Sequence, residues 1–166
     1  MRWATTEDRD AHAELLGTDP SPPLADRLSE DHRCYLALEG GRALHATWCS
    51  TTATWTEELQ TYLAPPPGDA YIYESFTRAD ARGRGIYPMV LRSIAALLHL
   101  EGTRRLWVGV EETNLASVHA IRKGGFEDAF AISFDKSSAG VDYEVEKELD
   151  PLESLHIPRN GHDITR

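Results

Sequence analysis

Cysteine is scarce: Cys34 and Cys49 are the only two in 166 residues. That is too few for a disulfide scaffold or a cysteine-based metal centre. If Gly40-Gly41 forms a two-residue hairpin turn, Glu39 faces Arg42 and Cys34 faces Thr47. Cys49 then sits diagonally, at about 7–8 Å, beyond the usual disulfide span of about 4.4–6.8 Å. Reduced, buried thiols are expected. The seven histidines are scattered without HExxH or CxxC spacing, so no metal is expected. Long hydrophobic runs are also missing, and none approaches the roughly 20 residues that span a bilayer. The opening MRWATTEDRD lacks the apolar core of a secretory signal and turns acidic at once. Positive charge is in deficit, with 17 Lys and Arg against 27 Asp and Glu, a net −10. A binder of phosphate backbones needs a basic face, so neither nucleic acid nor a membrane is expected as a partner. The expectation is a soluble, cytoplasmic protein whose acidity draws cationic small molecules only weakly.

What remains is an ordinary globular composition, 41% hydrophobic, in a chain the length of one domain. That domain is expected over residues 1–150, with a polar, proline-containing tail over 151–166. A short strand around Trp3 precedes a helix from Thr6 to Leu16, which Gly17 ends. Pro20, Pro22 and Pro23 mark a loop before a short helical stretch, Leu24 to Ser29. Cys34, Leu36 and Leu38 alternate with Tyr35, Ala37 and Glu39, and Leu44, Ala46 and Trp48 alternate again beyond the glycine turn, as in a hairpin. Residues 50–69, with their threonines and Pro65-Pro66-Pro67, read as an inserted loop or short helix over one end of the sheet.

Tyr71 to Thr77 reads as a strand, and a strong amphipathic helix follows with Val90, Ile94 and Leu97 in helical spacing. Pro88 belongs in its first turn. Leu106 to Val110 is a continuous apolar run of the kind a buried central strand shows. A second helix begins at Asn114 and stops at Gly124-Gly125. Two strands finish the domain, with Val141, Tyr143 and Val145 alternating in the last. This order predicts an α/β chain of α+β type: a mixed, mostly antiparallel sheet of six to seven strands with helices on both faces.

The informative unit is the turn Arg82-Gly83-Arg84-Gly85-Ile86-Tyr87 between a strand and a helix. Glycines at 83 and 85 let backbone N–H groups converge on one point, and the helix aims its positive end there. Such a turn suits a phosphate or pyrophosphate. It is neither a Walker loop nor a dinucleotide fingerprint, since no Gly-Lys-Ser/Thr follows and the third glycine is missing.

Arg82-x-x-Gly85 after a strand, followed by Asn114-x-x-Ser117 and Lys123-Gly124-Gly125-Phe126, resembles the GNAT superfamily of acyl-CoA-dependent N-acyltransferases. The specific part of the resemblance runs from about Tyr71 to Phe126. It implies a bound acetyl-CoA or another acyl-CoA, with its pyrophosphate cradled by amides of Arg82, Gly83, Arg84, Gly85, Ile86 and Tyr87. Phe76 and Thr77 would pair with the pantetheine arm, and Asn114 and Ser117 would lie along it. Asn114 is equally well placed as a helix N-cap. Tyr87 either stacks near the cofactor or fills the first helical turn. Similar proteins are often homodimers.

The resemblance implies transfer of the acyl group to an amine of a small molecule, peptide or protein by direct attack. A backbone amide near Thr77 would hold the oxyanion. Glu74 is the candidate catalytic base, because strand alternation places it with Ile72 and Phe76 on a partly apolar face, which raises a carboxyl's pKa. A solvent-facing or ion-paired glutamate is the competing reading, and Glu111 and Glu112 are second choices. His45 and His119 read as packed or surface residues. Tyr35, Trp48, Trp55 and Tyr62 either line an acceptor pocket or belong to the core, and Glu57-Glu58 either attracts a cationic amine or is a solvated face.

One position departs from the pattern. Members of the superfamily often carry a tyrosine where this chain has Ile121, and that tyrosine protonates the coenzyme A sulfur. Tyr73, Tyr143 or water would have to substitute, or a thiol of pKa about 8.5 leaves as thiolate unaided. Ile121 also keeps open a rival reading, a non-catalytic acyl-CoA-binding module with the same fold.

Overall fold

The structure, a computed structural model, describes residues 1–18, 20–137 and 140–148. The expected tail over 151–166 lies outside the described residues. A five-stranded sheet carries the fold: β1 (Arg2–Trp3), β2 (His32–Glu39), β3 (Arg42–Ser50), β6 (Ala70–Thr77) and β7 (Leu106–Val108), in that spatial order. All neighbours are antiparallel except β6 and β7. Two separate hairpins pair β4 (Thr54–Thr56) with β5 (Thr61–Leu63), and β8 (Phe130–Ser137) with β9 (Gly140–Glu148).

Helices cover both faces. On one, α1 (Arg9–Leu16) and α2 (Leu24–Arg27) bury Leu15 and Leu24 against Cys34, Leu36, Ala46 and Trp48. On the other, α3 (Ile86–Leu100) lays Ile86, Val90, Leu91, Ile94 and Leu98 on Tyr35, Ala37, Cys49 and Ile72. The helical spacing of those apolar residues is what makes α3 one-sided. Helix α4 (Leu115–Lys123) adds Ile121 to the same core. It comes close to α3 because Gly124 has no side chain: a Cβ there would stand 3.1 Å from Leu91 Cδ1. No helix among the described residues is long and apolar enough to cross a membrane.

Several expectations need correcting. Within residues 50–69, expected as a loop or short helix, 54–63 form the β4–β5 hairpin and the rest is loop apart from Ser50, the end of β3. Each strand is only three residues long, too short for alternation to be read. The run at Leu106–Val110 is not a central strand: β7 ends at Val108 and lies at the sheet edge. Leu106 and Val108 pack against the α3 core, and Trp107 on the other side meets the terminal hairpin, 6.1 Å from Phe130 between ring centroids.

The Gly40-Gly41 turn does pair Glu39 with Arg42, but a bulge between Ala37 and Leu38 shifts the register, so Cys34 faces Trp48. Cys34 and Cys49 therefore lie on opposite faces of the sheet. Both are free, and burial pushes both thiols up to about 12.

Candidate active site

The donor end is made of backbone. Gly83 and Gly85 both adopt left-handed conformations, φ 76° and 71°, and Gly85 is the N-cap of α3. A side chain at either position would be strained by its backbone, although a Cβ would meet nothing within 4 Å. The space in front of the turn is thus open. The N–H groups of Gly83, Arg84, Gly85, Ile86 and Tyr87 donate to no backbone carbonyl among the described residues. The first amide of the helix to close a bond is Met89, to Gly85 O at 3.3 Å. Pro88 therefore removes no donor that the helix needs. Free amides, open space at both glycines and the positive end of a 15-residue helix fit a pyrophosphate.

The flanking side chains divide their roles. Arg84 turns away to Glu39, with Nη2 to Oε1 at 2.6 Å, and that guanidinium holds the Glu39 carboxyl below the usual range. Arg82 has no carboxylate partner among the described residues. Its Nε donates to Thr77 O at 3.1 Å, and its guanidinium stands 6.0 Å from the Phe76 ring. Asn114 caps α4, accepting from Ser117 N at 3.2 Å, so its capping role is seen directly. Tyr87 stacks on His45, 5.1 Å between centroids, which is the packing role. Ile121 is 7% exposed and built into the core.

Beside this cradle β6 outruns its neighbour. Pairing with β7 covers Ala70–Ile72 only, and Tyr73–Thr77 continue without a β7 partner. The two strands therefore part, leaving an edge to which an extended ligand can hydrogen-bond. Midway along that edge β6 bulges. Ala46 pairs with Phe76 and Trp48 with Tyr73, so Thr47 faces both Glu74 and Ser75. Glu74 takes φ 45°, a conformation side chains rarely adopt and one often found at functional sites.

The bulge corrects the expected setting of Glu74. Ile72 packs on the α3 face and Phe76 on the opposite one, so alternation is broken between them. The Glu74 side chain is 56% exposed and bonded to Arg27 Nη2 at 2.7 Å, rather than enclosed by apolar neighbours. Glu111 and Glu112 lie in an exposed loop beyond β7.

Below the bulge, on the α3 face, lies a polar chain with His45 and Thr47 buried and Ser75 at its exposed end. His45 Nδ1 is 2.7 Å from Thr77 Oγ1, His45 Nε2 is 3.0 Å from Thr47 Oγ1, and Thr47 Oγ1 is 2.5 Å from Ser75 Oγ. Burial drives the imidazole down to about 4, so it is neutral at physiological pH. A neutral ring donates at one nitrogen and accepts at the other, and the hydroxyls complement either tautomer.

On the α1–α2 face the bulge opens into a cleft of about 350 Å³. Arg27 and Glu74 meet in its lining, His32 and Tyr73 line it too, and Trp55 and Tyr62 come from the β4–β5 hairpin. His32 Nδ1 lies 3.0 Å from the Tyr73 hydroxyl and Nε2 lies 3.2 Å from Thr52 Oγ1. Burial lowers the His32 pKa, and it pushes the Tyr73 phenol up to about 12. Of the four aromatics considered from sequence, Trp55 and Tyr62 line this cleft. Tyr35 and Trp48 are core residues, 3% and 1% exposed. Arg27, His32 and Thr54 also line it and were missed; nothing in their local sequence marks them.

The fold thus sets a turn of unpaired backbone amides at one end of a parted strand edge and a small polar cleft beside it. The chain belongs to the Acetyltransferase (GNAT) family, whose pattern it matches over residues 2–126. No curated protein matches it. Among solved structures it is similar to aminoglycoside N-acetyltransferase AAC(6')-Iy in complex with CoA, at 16% identity and TM-score 0.62, over 82% of this chain and 97% of that one. It is similar also to aminoglycoside 6'-N-acetyltransferase AAC(6')-IG from Acinetobacter haemolyticus, at 13% identity and TM-score 0.58, over 83% and 99%. A transcriptional regulator from Bacillus halodurans C-125 matches at 15% identity and TM-score 0.56, over 76% and 91%. Identities this low establish the shared fold and leave the acceptor open.

Proposed function

We propose that this protein is an N-acyltransferase that moves an acetyl group from acetyl-CoA to an amine by direct attack. The observation that carries the reading is the parted edge of β6, with free amides at one end and a cleft holding a carboxylate at the other. Gly83, Arg84, Gly85, Ile86 and Tyr87 would hold the pyrophosphate through backbone N–H groups, with Arg82 adding charge. Phe76 and Thr77 would pair with the pantetheine arm through their backbone, since the Phe76 ring packs toward α1 and the Thr77 hydroxyl is taken by His45. Asn114 and Ser117 flank the arm from the start of α4.

An acyl-CoA supplies an activated thioester. The acceptor amine must be unprotonated to attack it, and Glu74 takes that proton, directly or through a water. A backbone N–H near Thr77 holds the oxyanion. Departure of sulfur needs no acid from this chain. A Tyr73 phenol at about 12 is a weaker acid than a thiol near pKa 8.5, so it can hydrogen-bond a thiolate without protonating it.

A second reading, a non-catalytic acyl-CoA-binding module, is favoured by one observation: Ile121 places a buried aliphatic side chain where an acid is usual. Thermal-shift titration with acetyl-CoA, longer acyl-CoAs, free coenzyme A and NAD, followed by a thiol-release assay, decides between them. A ligand at about 100 times its Kd adds about 2.7 kcal/mol of stability. Stabilisation by acyl-CoA with thiol release supports catalysis. Stabilisation without release, across a broad amine panel, supports the module. No shift with any coenzyme A species removes both.

A further inference from the structure

The cleft contains something that recognition of an amine does not require, a covered cation. The Arg27 side chain is 18% exposed, although its partner Glu74 is 56% exposed. Its guanidinium lies 4.1 Å from the centroid of the Trp48 ring. Trp48 is itself 1% exposed and held on edge by the His12 ring at 6.2 Å. The cation is thus seated on a rigid aromatic floor instead of ranging over the surface. A cleft shaped for a polycation gathers carboxylates and keeps arginine out. This one sets a guanidinium and a carboxylate side by side, 2.7 Å apart.

We propose that the acceptor is an α-amino acid with an apolar or aromatic side chain, its carboxylate bound by Arg27 and its amine by Glu74. This rests on the acyltransferase reading and adds the substrate class. Because the two protein charges touch, the two ligand charges must also be neighbours, as they are across one carbon of an α-amino acid. A polyamine or an aminocyclitol carries no anion to meet Arg27. An arriving zwitterion exchanges partners with the Arg27–Glu74 pair and leaves no charge alone, whereas a purely cationic amine would leave Arg27 facing a cation.

Size and chemistry of the remaining wall agree. A volume of about 350 Å³ is at the small end of the range of about 300–1,000 Å³ for ligand sites. Trp55 and Tyr62, 47% and 43% exposed, meet edge to face at 5.3 Å, and Glu57 fixes the Trp55 indole through a 2.9 Å hydrogen bond. They offer an apolar side chain an aromatic wall.

The test is thiol release at saturating acetyl-CoA with L-phenylalanine, L-leucine, their carboxamides, spermidine and neamine. The expected result is kcat/KM for the amino acids at least about tenfold above that for the carboxamides, carried by KM. Arg27→Met should remove that difference, with acid and amide then used equally, while Arg27→Lys retains part of it. Melting curves establish that the variants fold, and if Arg27→Met does not, the wild-type comparison and Arg27→Lys decide. Equal use of acid and amide by the wild type, preference for spermidine or neamine, or no release with any amino acid overturns the proposal. A thermal shift with acetyl-CoA together with turnover of a polyamine would sink the substrate class alone. No shift with acetyl-CoA removes the acyltransferase reading beneath it.

Discussion

The two ends of the proposed site are made of different material. At the donor end, consecutive backbone amides from Gly83 to Tyr87 are left without backbone partners in a turn where two glycines take left-handed conformations. At the acceptor end, side chains from α2, β2, the β4–β5 hairpin and β6 converge, although Arg27 and Glu74 are 47 residues apart. A backbone site needs only the right turn and tolerates varied side chains. A side-chain site depends on which residue each element presents.

The largest expected effect breaks the donor end alone. Gly85→Val puts a branched side chain on a backbone at φ 71° and into the open cradle. Acetyl-CoA affinity should fall by about a thousandfold, about 4 kcal/mol, while far-UV circular dichroism stays native. Unchanged affinity by calorimetry would remove the cradle from the donor site.

The next concerns the polar chain beneath the bulge. Folded His45 titrates near 4 against an ordinary value of 6.5, so between those values the unfolded chain binds the extra proton. This contribution to stability is therefore complete above pH 6.5 and is lost as pH falls toward 4, by about 3 kcal/mol. Urea unfolding of wild type and His45→Gln at pH 7.5 and 4.5 checks it. The wild type should lose more stability than the variant, and equal losses would contradict a buried neutral imidazole.

A smaller effect sharpens the acceptor end. Glu74→Gln keeps a hydrogen-bond acceptor for Arg27 but loses the base, so turnover at neutral pH should drop about tenfold to a hundredfold, with acetyl-CoA affinity unchanged. A pH–rate profile identical to wild type would remove Glu74 from that role. The smallest effect is on Asn114. Its cap bond to Ser117 N is worth about 1 kcal/mol, so Asn114→Ala should lower the melting midpoint slightly. A fall in acetyl-CoA affinity beyond that of a distant cap substitution would show that Asn114 also touches the pantetheine arm.

What the sequence made legible was local. Two glycines between a strand and a helix, an asparagine followed by a nine-residue helix, and the apolar spacing of Ile86 to Leu98 each act through neighbours a few residues away. Those parts could be read in order along the chain, and with them the turn that the proposed donor site uses. The Gly40-Gly41 turn was equally readable, but the register beyond it was not, because one bulged residue at Leu44 moves every later pair by one.

The acceptor end was decided by the tertiary structure. A bulge is one extra residue accommodated by the partner strand, and nothing in Tyr73-Glu74-Ser75 announces it. It turned Glu74 from an expected apolar face toward Arg27, and it linked Ser75 to the buried Thr47 and His45 in one hydrogen-bonded chain. The covered position of Arg27 follows from Trp48, and that of Trp48 from the packing of α1 and α2. Sequence fixes conformation over the range of a turn. Which distant side chains meet is fixed only when whole elements pack, since no single pair of residues holds enough energy to choose its partner.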